Sequence, residues 1–293
     1  MLYNVHINKD ERGLLFRRGD FVRVLHPGTR WVTGPLFRTH VQKFKLDKTA
    51  FEHPLAEYIR KAEPSVVARE FHVVELGATE VGLRYEDGVP VEVLAPDTRK
   101  LYWKGFVDVK VETFDIAGDE IDADLTRRLL APYKGKPLAG SDAILAVIVP
   151  QFHVGMLYVN GKVEKLLDAG LHAFWKFRRD VRAEVIDLRL QVLEVAGQEI
   201  LTRDKVTLRV NLTAGYRVSD VLVAYAKQAK PMDYLYKELQ FGLRAAVGTR
   251  TLDELLENKG VIDEVVEAHI RRRVAGFGLE VESVGVKDII LPG

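Results

Sequence analysis

The chain contains no cysteine, which excludes disulfide frameworks, thiolate metal sites and cysteine nucleophiles together. Long apolar runs are missing as well, because the longest, at residues 143–149, is far short of the roughly 20 residues that a membrane-spanning helix needs. The chain also has no large excess of either charge, since it contains 43 basic and 42 acidic residues. No global field therefore draws the chain to nucleic acid or to an anionic membrane, and any such contact needs a local patch.

What is present is typical of a soluble globular protein, with 47% hydrophobic and 29% charged residues. A length of 293 residues predicts two or three domains. The first ten residues lack the basic and then apolar organisation of a signal peptide. Together with the absence of cysteine, this favours a cytoplasmic protein.

Three segments of the chain align without a gap, at residues 13–25, 82–94 and 155–167. Each combines a short strand, a glycine turn and a second alternating strand, which is the pattern of a β-hairpin. Each segment then reaches a second turn and a tryptophan, at Trp31, Trp103 and Trp175. Three related β-units are therefore predicted, although three unrelated hairpins would also fit the pattern.

Two helical connectors are predicted between these units. Residues 51–62 have apolar side chains at helical spacing and are stopped by Pro64. Residues 119–130 begin with acids and end with arginines, the order that a helix dipole favours, and Pro132 follows. Residues 134–140 have the composition of a flexible linker. We therefore predict modules at 1–69 and 70–148 and a third domain at 149–293.

The last half of the chain is organised around strand-like segments between residues 185 and 218. Apolar and polar residues alternate from 186 to 192 and again from 204 to 218, and Gly197 marks a break before a short strand at 198–202. This period of two predicts half-buried antiparallel strands. Helices are predicted at 219–229, 231–247, 251–256 and 261–274, with a last strand at 281–289. Strands followed by segregated helices indicate an α+β fold.

Several motifs follow one another across this half of the chain. They are DLRLQVLE from Asp187, TRDKVTLRV from Thr202, LRAAVG from Leu243, LDELL from Leu252 and VESVGVKDI from Val281. This series resembles the stomatin/prohibitin superfamily (SPFH, band 7), most closely its bacterial slipin branch. The resemblance implies a C-terminal SPFH domain, preceded here by two small β-hairpin-rich repeat modules.

The resemblance also implies a hydrophobic anchor ahead of that domain and a helical, often coiled-coil, segment after the residues that match Asp288 to Pro292. This sequence carries two further β-units where relatives carry the anchor, and it stops at Gly293. We therefore expect docking at a membrane surface without a transmembrane segment, and either a truncated or a missing assembly segment.

Catalytic residues, metals and cofactors are not predicted. An enzyme needs a nucleophile with a base, a carboxylate pair or a metal cluster, and the eight histidines are scattered. His53 and Glu57 could share a helix face as two metal ligands, but Pro54 and the lack of a third local ligand argue against such a site. The acids of residues 119–124 could hold calcium, but helix capping explains them better. His269, on an apolar stripe, is predicted to be a hydrogen-bonded core histidine.

Residues 174–179 combine aromatics with cations in one loop. This is the chemistry of an interfacial anchor whose rings lie at headgroup level while its cations meet phosphates. The candidate membrane-surface residues are Phe174, Trp175, Lys176, Phe177, Arg178 and Arg179. They predict binding to an anionic lipid surface; in the alternative interpretation, Trp175 fills the hairpin core and the arginines are solvated.

Charged side chains of the last helices could form salt bridges with a neighbouring subunit. The candidate subunit-contact residues are Glu254, Glu257, Asp263, Glu264, Arg271, Arg272 and Arg273. The helix dipole already accounts for the arginines at a helix C-terminus. Nucleic acid is not an expected partner, because no broad basic face with interleaved aromatics is evident.

These features and the resemblance predict a non-catalytic homo-oligomeric scaffold, peripheral at the inner face of the cell membrane. The resemblance implies membrane proteins as partners, in bacteria often a membrane serine protease of the NfeD type. The competing hypothesis is a soluble protein-binding module that uses the repeated β-units and has no membrane role. The missing anchor and the near-zero net charge favour this second hypothesis.

Overall fold

Repeated β-structure occupies the first part of the chain. The computed structural model describes residues 2–34, 38–116, 118, 120–258 and 260–291, with side chains from Asn4 onward. The first repeat has five strands: β1 (Leu2–Ile7), β2 (Glu11–Arg17), β3 (Asp20–Leu25), β4 (Gly28–Thr33) and β5 (Thr39–Lys45). Strand β1 pairs with β4, and a second sheet has the order β3-β2-β5.

The second and third repeats have the same connectivity. The second contains β6 (Phe71–Glu75), β7 (Glu80–Glu86), β8 (Val89–Leu94), β9 (Arg99–Trp103) and β10 (Val109–Asp115). The third contains β11 (Ile144–Val149), β12 (His153–Val159), β13 (Lys162–Leu167), β14 (Gly170–Trp175) and β15 (Val181–Asp187). The first strand of each pairs with the fourth, and the second strand lies between the third and the fifth. The predicted repeat is confirmed and extends over five strands.

One position in each repeat is a glycine for the same structural reason. A Cβ at Gly13 would lie 2.8 Å from Ile7 Cδ1, one at Gly82 would lie 2.9 Å from Val111 Cγ1, and one at Gly155 would lie 2.9 Å from Val149 Cγ2. Such distances are too short for carbon atoms, so the close packing of the sheets excludes a side chain there. These are the three glycines with which the aligned segments begin.

The connectors differ from the prediction in detail. Helix α1 (Ala56–Ala62) is followed directly by α2 (Pro64–Glu70), so Pro64 begins a second helix where the sequence predicted only a stop. Helix α3 (Ala123–Leu130) begins later than predicted, after Asp122, whose side chain accepts the N–H groups of Asp124 and Leu125. Helix capping therefore accounts for Asp122, as predicted. Asp119 lies outside the described residues.

The segment at 134–140 is packed, which corrects the prediction of a flexible linker. Leu138 is only 3% exposed and belongs to a cluster with Leu125 and Leu129 of α3. The carbonyl of Ala139 accepts the N–H of Val93 at 2.8 Å. A linker would keep its apolar side chains and backbone groups in water, whereas this segment closes the cluster around α3.

The chain divides into two compact units. The first comprises residues 1–147, 159–161 and 171–182, and the second comprises 148–158, 162–170 and 183–293. In the first unit, an aromatic cluster forms the core around Trp103, whose ring centroid lies 4.3 Å from that of Phe71 and 5.1 Å from that of Phe51. The helices α1 and α2 contribute Ile59, Val66 and Val67 to the same cluster. The predicted division of the first half at residue 69 stays a prediction.

The second unit contains the predicted sheet and helices. A sheet of order β16-β17-β18 is formed by β16 (Gln191–Leu201), β17 (Thr207–Val218) and β18 (Leu279–Ile290). Between the last two strands lie α4 (Val221–Lys227), α5 (Pro231–Gly248), α6 (Leu252–Glu257) and α7 (Gly260–Val274). One face of β17 packs with apolar residues of α5 and α7 in a single core. The α+β class and the Thr251 capping box are confirmed.

The alternating run at 186–192 is not one strand. Strand β15 ends at Asp187, and β16 begins at Gln191. At the bend between them, Asp187 Oδ1 accepts the N–H of Arg189 at 3.0 Å, and its carboxylate also binds the Arg189 guanidinium. Conversely, Gly197 does not end a strand, because β16 continues through a bulge between Val195 and Gln198.

Candidate assembly surface

Three exposed apolar side chains follow the Asp187 bend on the second compact unit, and a fourth belongs to residue 152, which is hydrogen-bonded to this segment. This apolar rim consists of Phe152, Leu188, Leu190 and Val192, which are 61%, 37%, 54% and 69% exposed. The N–H of Leu188 donates to Phe152 O at 3.0 Å, which brings the two residues together. Val192 pairs with Gly215 on the face of the sheet opposite to the core. Exposed large apolar groups in a cluster indicate an interaction surface.

Phe152 occupies a backbone position that bulky residues avoid. Its φ is +65°, in a turn closed by the His153 N–H and the Pro150 carbonyl at 3.1 Å. A bulky residue at positive φ is an outlier, and such strain concentrates at functional positions. The strained backbone thus holds an exposed phenyl ring at the rim.

Equivalent positions in the other repeats do not form such a rim. The same backbone hydrogen bond joins Leu46 N to Asp10 O at 2.9 Å in the first repeat and Ile116 N to Thr79 O at 2.8 Å in the second. The residue at the Phe152 position is polar in both, and Leu46 is buried. The exposed apolar pair is therefore particular to the repeat that leads into the sheet β16-β17-β18.

That sheet is open at both sides. Among the residues that the structure describes, β16 and β18 each pair only with β17. The two outer strands have 11 and 12 residues, and long outer strands present backbone groups to which another chain can pair. One amide of β18 is already bonded, because Asp263 Oδ1 accepts the N–H of Val286 at 2.7 Å. The apolar rim continues into the outer strand β16.

Two of the three aromatic residues of the predicted membrane loop are buried. Phe174 is 1% exposed and Trp175 is 4% exposed, and Trp175 stacks on the half-buried Phe177 with ring centroids 5.8 Å apart. Trp175 lies in a cluster with Ile144 and Ala173. The buried rings of Phe174 and Trp175 do not fit the interfacial-anchor interpretation, whereas the burial of Trp175 fits the hairpin-core alternative.

Lys176 and Arg178 remain exposed and Arg179 is half-buried, and all three have partners inside the first compact unit. Lys176 Nζ donates to the Asp142 carbonyl at 2.8 Å, and Arg179 Nε donates to the Trp175 carbonyl at 3.0 Å. Arg178 forms an ion pair with Asp97. These contacts hold the loop against its own unit, and any lipid contact of the loop would depend on its cations alone.

The predicted subunit-contact residues are in the second compact unit, and several act within the chain. Glu254 closes the capping box of α6 and binds Arg203 at 3.1 Å. Asp263 accepts the Val286 N–H within β18, and Arg271 pairs with Glu267 one helical turn away at 2.6 Å. Three members of the set are exposed and form no salt bridge with another described residue: Glu257, Glu264 and Arg272. Arg272 Nε donates to the Ala268 carbonyl.

Arg273 has a structural role. Its Nε and Nη2 donate to the two carboxylate oxygens of Glu238, both at 3.0 Å, and Glu238 is almost fully buried. His269 Nε2 lies 3.1 Å from the same carboxylate. Hydrogen bonds from Arg273 and His269 lower the pKa of Glu238. The predicted hydrogen bonding of His269 is thus observed, in a cluster that links α5 to α7.

The candidate metal ligands have other partners. His53 Nε2 lies 3.1 Å from Gln42 Oε1, and its Nδ1 accepts the Leu55 N–H at 3.1 Å. Hydrogen bonds from Arg60 and Lys61 lower the pKa of Glu57 to about 2. Among the described residues, no three or more His, Asp or Glu side chains are arranged to hold a metal ion.

Sequence reasoning missed the apolar rim because it placed Leu188, Leu190 and Val192 on one strand with Ile186. The signal that could have found the bend is Asp187-Leu-Arg189, since an Asp side chain often accepts the amide two residues later. No helix in the described part of the chain has the length and apolar character to cross a bilayer.

The third hairpin repeat leads into an open three-stranded sheet with four helices, so this half of the chain has the α+β architecture. The chain belongs to the SPFH domain / Band 7 family, whose profile matches residues 147–293. This confirms the resemblance found in the motifs.

Individual relatives are similar over the same half. A stomatin homolog of Pyrococcus horikoshii is 30% identical over 145 residues, 50% of this chain and 54% of that protein. A protein of Methanocaldococcus jannaschii without an assigned function is 32% identical over 147 residues, 50% of this chain and 72% of that protein. Stomatin-3 of Caenorhabditis elegans is 35% identical over 109 residues, 37% of this chain and 41% of that protein. The chain thus spans about half the length of the Pyrococcus stomatin homolog.

Proposed function

We propose that this protein is a non-catalytic, self-associating scaffold that organises membrane proteins at the inner face of the cell membrane. The observation that carries the proposal is the apolar rim beside the outer strand β16 of an open sheet. Burial of the rim against a second copy would stabilise the contact by about 25 cal/mol for each Å² of apolar surface that leaves water. The outer strands would add backbone pairing.

The partners are proposed on the family resemblance. Membrane proteins, among them a membrane serine protease of the NfeD type, are the class that the resemblance implies. Peripheral attachment to the membrane is part of the same proposal, and family membership supports it. Co-purification from membranes before and after a salt wash tests the attachment, and a protease found in the eluate would test the partner class.

Self-association is tested with a variant of the rim. We expect sedimentation velocity to show oligomers of the wild-type chain that grow with concentration. The double variant Leu190→Asp, Val192→Asp should shift the distribution to smaller species, because two buried carboxylates without partners oppose the contact. Leu222→Asp, Leu256→Asp is the matched control, since both leucines are 47% exposed, on α4 and α6 of the same compact unit.

Two outcomes contradict the proposal. A wild-type chain that stays a monomer at every concentration would remove the assembly. Oligomers that are unchanged in the rim variant would place the contact elsewhere. Circular dichroism of both variants shows whether a change in mass reflects assembly or loss of folding.

A further inference from the structure

The tips of the three repeats have the same backbone. In each tip, a two-residue turn with positive φ joins the second strand to the third. The turns are Arg18-Gly19, Asp87-Gly88 and Asn160-Gly161. The first turn residue donates its N–H to the carbonyl just before the fifth strand: Arg18 to Arg38 at 2.7 Å, Asp87 to Asp108 at 2.9 Å and Asn160 to Asp180 at 2.8 Å. Side chains at these positions can therefore be compared directly.

The second and third tips close on themselves. Asp87 Oδ1 accepts the Asp108 N–H at 2.9 Å, and Asn160 Oδ1 accepts the Asp180 N–H at 3.0 Å. In the first tip, Arg18 occupies the turn position with a φ of +54°. Arginine has no acceptor atom and tolerates positive φ less well than Asn or Asp. The first repeat thus gives up a favourable turn residue for a cation, and such departures concentrate at functional positions.

The cations of the first tip converge on a pocket. Arg17, Arg18 and Arg38 line a cavity of about 650 Å³, which lies within the size range of small-molecule sites. Arg17 is already positioned, because its Nη2 donates to Thr33 O at 3.0 Å and to Thr33 Oγ1 at 3.2 Å. Asp20 also lines the cavity, so the lining contains three basic residues and one acidic residue.

The surrounding repeat has the same sign of charge. Residues 1–48 contain ten basic and four acidic residues, whereas the whole chain has a net charge of only +1. The remaining residues are therefore negative overall, and the positive potential is concentrated in the first repeat. A local field of this kind attracts anions to the pocket.

Two anions could fill the pocket: a phosphate group, or the acidic tip of the second repeat in a neighbouring subunit. The acidic tip is the weaker candidate because its charges have partners. Glu86 binds Arg84 and accepts the Thr49 hydroxyl at 2.6 Å, and Asp108 binds Lys110 at 2.9 Å. A concave site with several guanidinium groups also suits phosphate, whose oxygens match their paired N–H groups.

We propose that the pocket between Arg17, Arg18 and Arg38 binds a phosphate group, carried either by a soluble phosphorylated molecule or by a lipid headgroup. The site lies outside residues 147–293, which match the family. It is independent of the proposed assembly, whose variant leaves the pocket unchanged.

The test exchanges the first tip for the third. The variant Arg18→Asn, Arg38→Asp carries the side chains of Asn160 and Asp180, which this backbone accommodates in the same chain. The control Arg23→Asn, Arg99→Asp changes the net charge equally at exposed strand positions outside the pocket lining. One arm measures affinity for inorganic phosphate by calorimetry at constant ionic strength. The other arm measures flotation with vesicles of phosphatidylcholine, with and without phosphatidic acid.

We expect the tip variant to bind at least about tenfold more weakly than wild type and control in one arm or both, because two charge-assisted contacts are lost. Loss in the phosphate arm alone identifies a soluble ligand, loss in the vesicle arm alone identifies a lipid headgroup, and loss in both arms shows a phosphate site that accepts either source. Equal binding by the tip variant and the control in both arms overturns the proposal. A tip variant that loses only self-association in sedimentation also overturns it, in favour of the neighbouring acidic tip.

Discussion

The first repeat exposes its tryptophan, whereas the second and third repeats bury theirs. Trp31 is 61% exposed, and Trp103 and Trp175 are 1% and 4% exposed. All three repeats have the same strand pairing and a glycine that a neighbouring side chain crowds. The difference shows that the repeat preserves the backbone and its close contacts, while the surface chemistry of each copy has changed independently.

Register along the paired strands explains the exposed tryptophan. Ile7 pairs with Gly28 in the first repeat, and Leu76 N donates to Thr98 O in the second. Counted from these pairs, Trp31 corresponds to Leu101 and not to Trp103. Leu101 and Trp103 are covered by the helices that contribute Ile59, Val66 and Val67 to their cluster. The similar spacing of the tryptophans in the sequence therefore does not mean equivalent places in the fold.

Replacing Trp103 and Trp31 in separate variants should give the largest difference between the repeats in the free energy of unfolding. Trp103→Ala should lower the free energy of unfolding by about 3–5 kcal/mol, because it leaves a cavity in the aromatic cluster. Trp31→Ala should change it by less than about 0.5 kcal/mol, since the ring is mostly in water. Urea denaturation followed by far-UV circular dichroism measures both. Similar losses in the two variants would contradict the burial difference between the repeats.

The glycine that all repeats share gives the next largest effect. A Cβ at Gly155 would lie 2.9 Å from Val149 Cγ2 and 3.0 Å from Leu167 Cβ, so Gly155→Ala should cost about 1–3 kcal/mol through overpacking. Gly285→Ala is the control, because a Cβ there meets open space. The same denaturation experiment compares the two. If Gly155→Ala leaves the free energy of unfolding unchanged, the packing around this glycine accommodates a Cβ, which contradicts the prediction.

Much of this framework was predictable from sequence because it depends on local rules. The hairpin turns, the Thr251 capping box and the cap at Asp220 each follow from a few adjacent residues. The motif series identified the family because it preserves many such local solutions in order. Alternation along β17 placed its core face correctly, from Leu208 to Val218.

The errors arose where tertiary contacts decide the outcome. Burial of Trp175 depends on a cluster that includes residues of α3, far away in sequence. The exposed rim follows a bend at which Asp187 Oδ1 accepts the Arg189 N–H, and this bend redirects a run of apolar residues. The arginine pocket is lined by three arginines from the ends of two strands, and no pattern in the sequence shows that these residues share a pocket. Alternation of apolar and polar residues predicts which face of a strand is buried, but it does not show where the strand ends.

Reciprocal exchange of the turn residues should have the smallest effect and tests whether the first tip sacrifices stability for charge. Arg18→Asn should raise the free energy of unfolding by about 0.5–1 kcal/mol, because Asn tolerates the φ of +54° better. Asn160→Arg should lower it by about 1–2 kcal/mol, since the bond from the Asp180 N–H to Asn160 Oδ1 is lost as well. Urea denaturation in phosphate-free buffer keeps ligand binding out of the comparison. If Arg18→Asn is destabilising, Arg18 is a structural residue of the turn, and the functional reason for its presence there is lost.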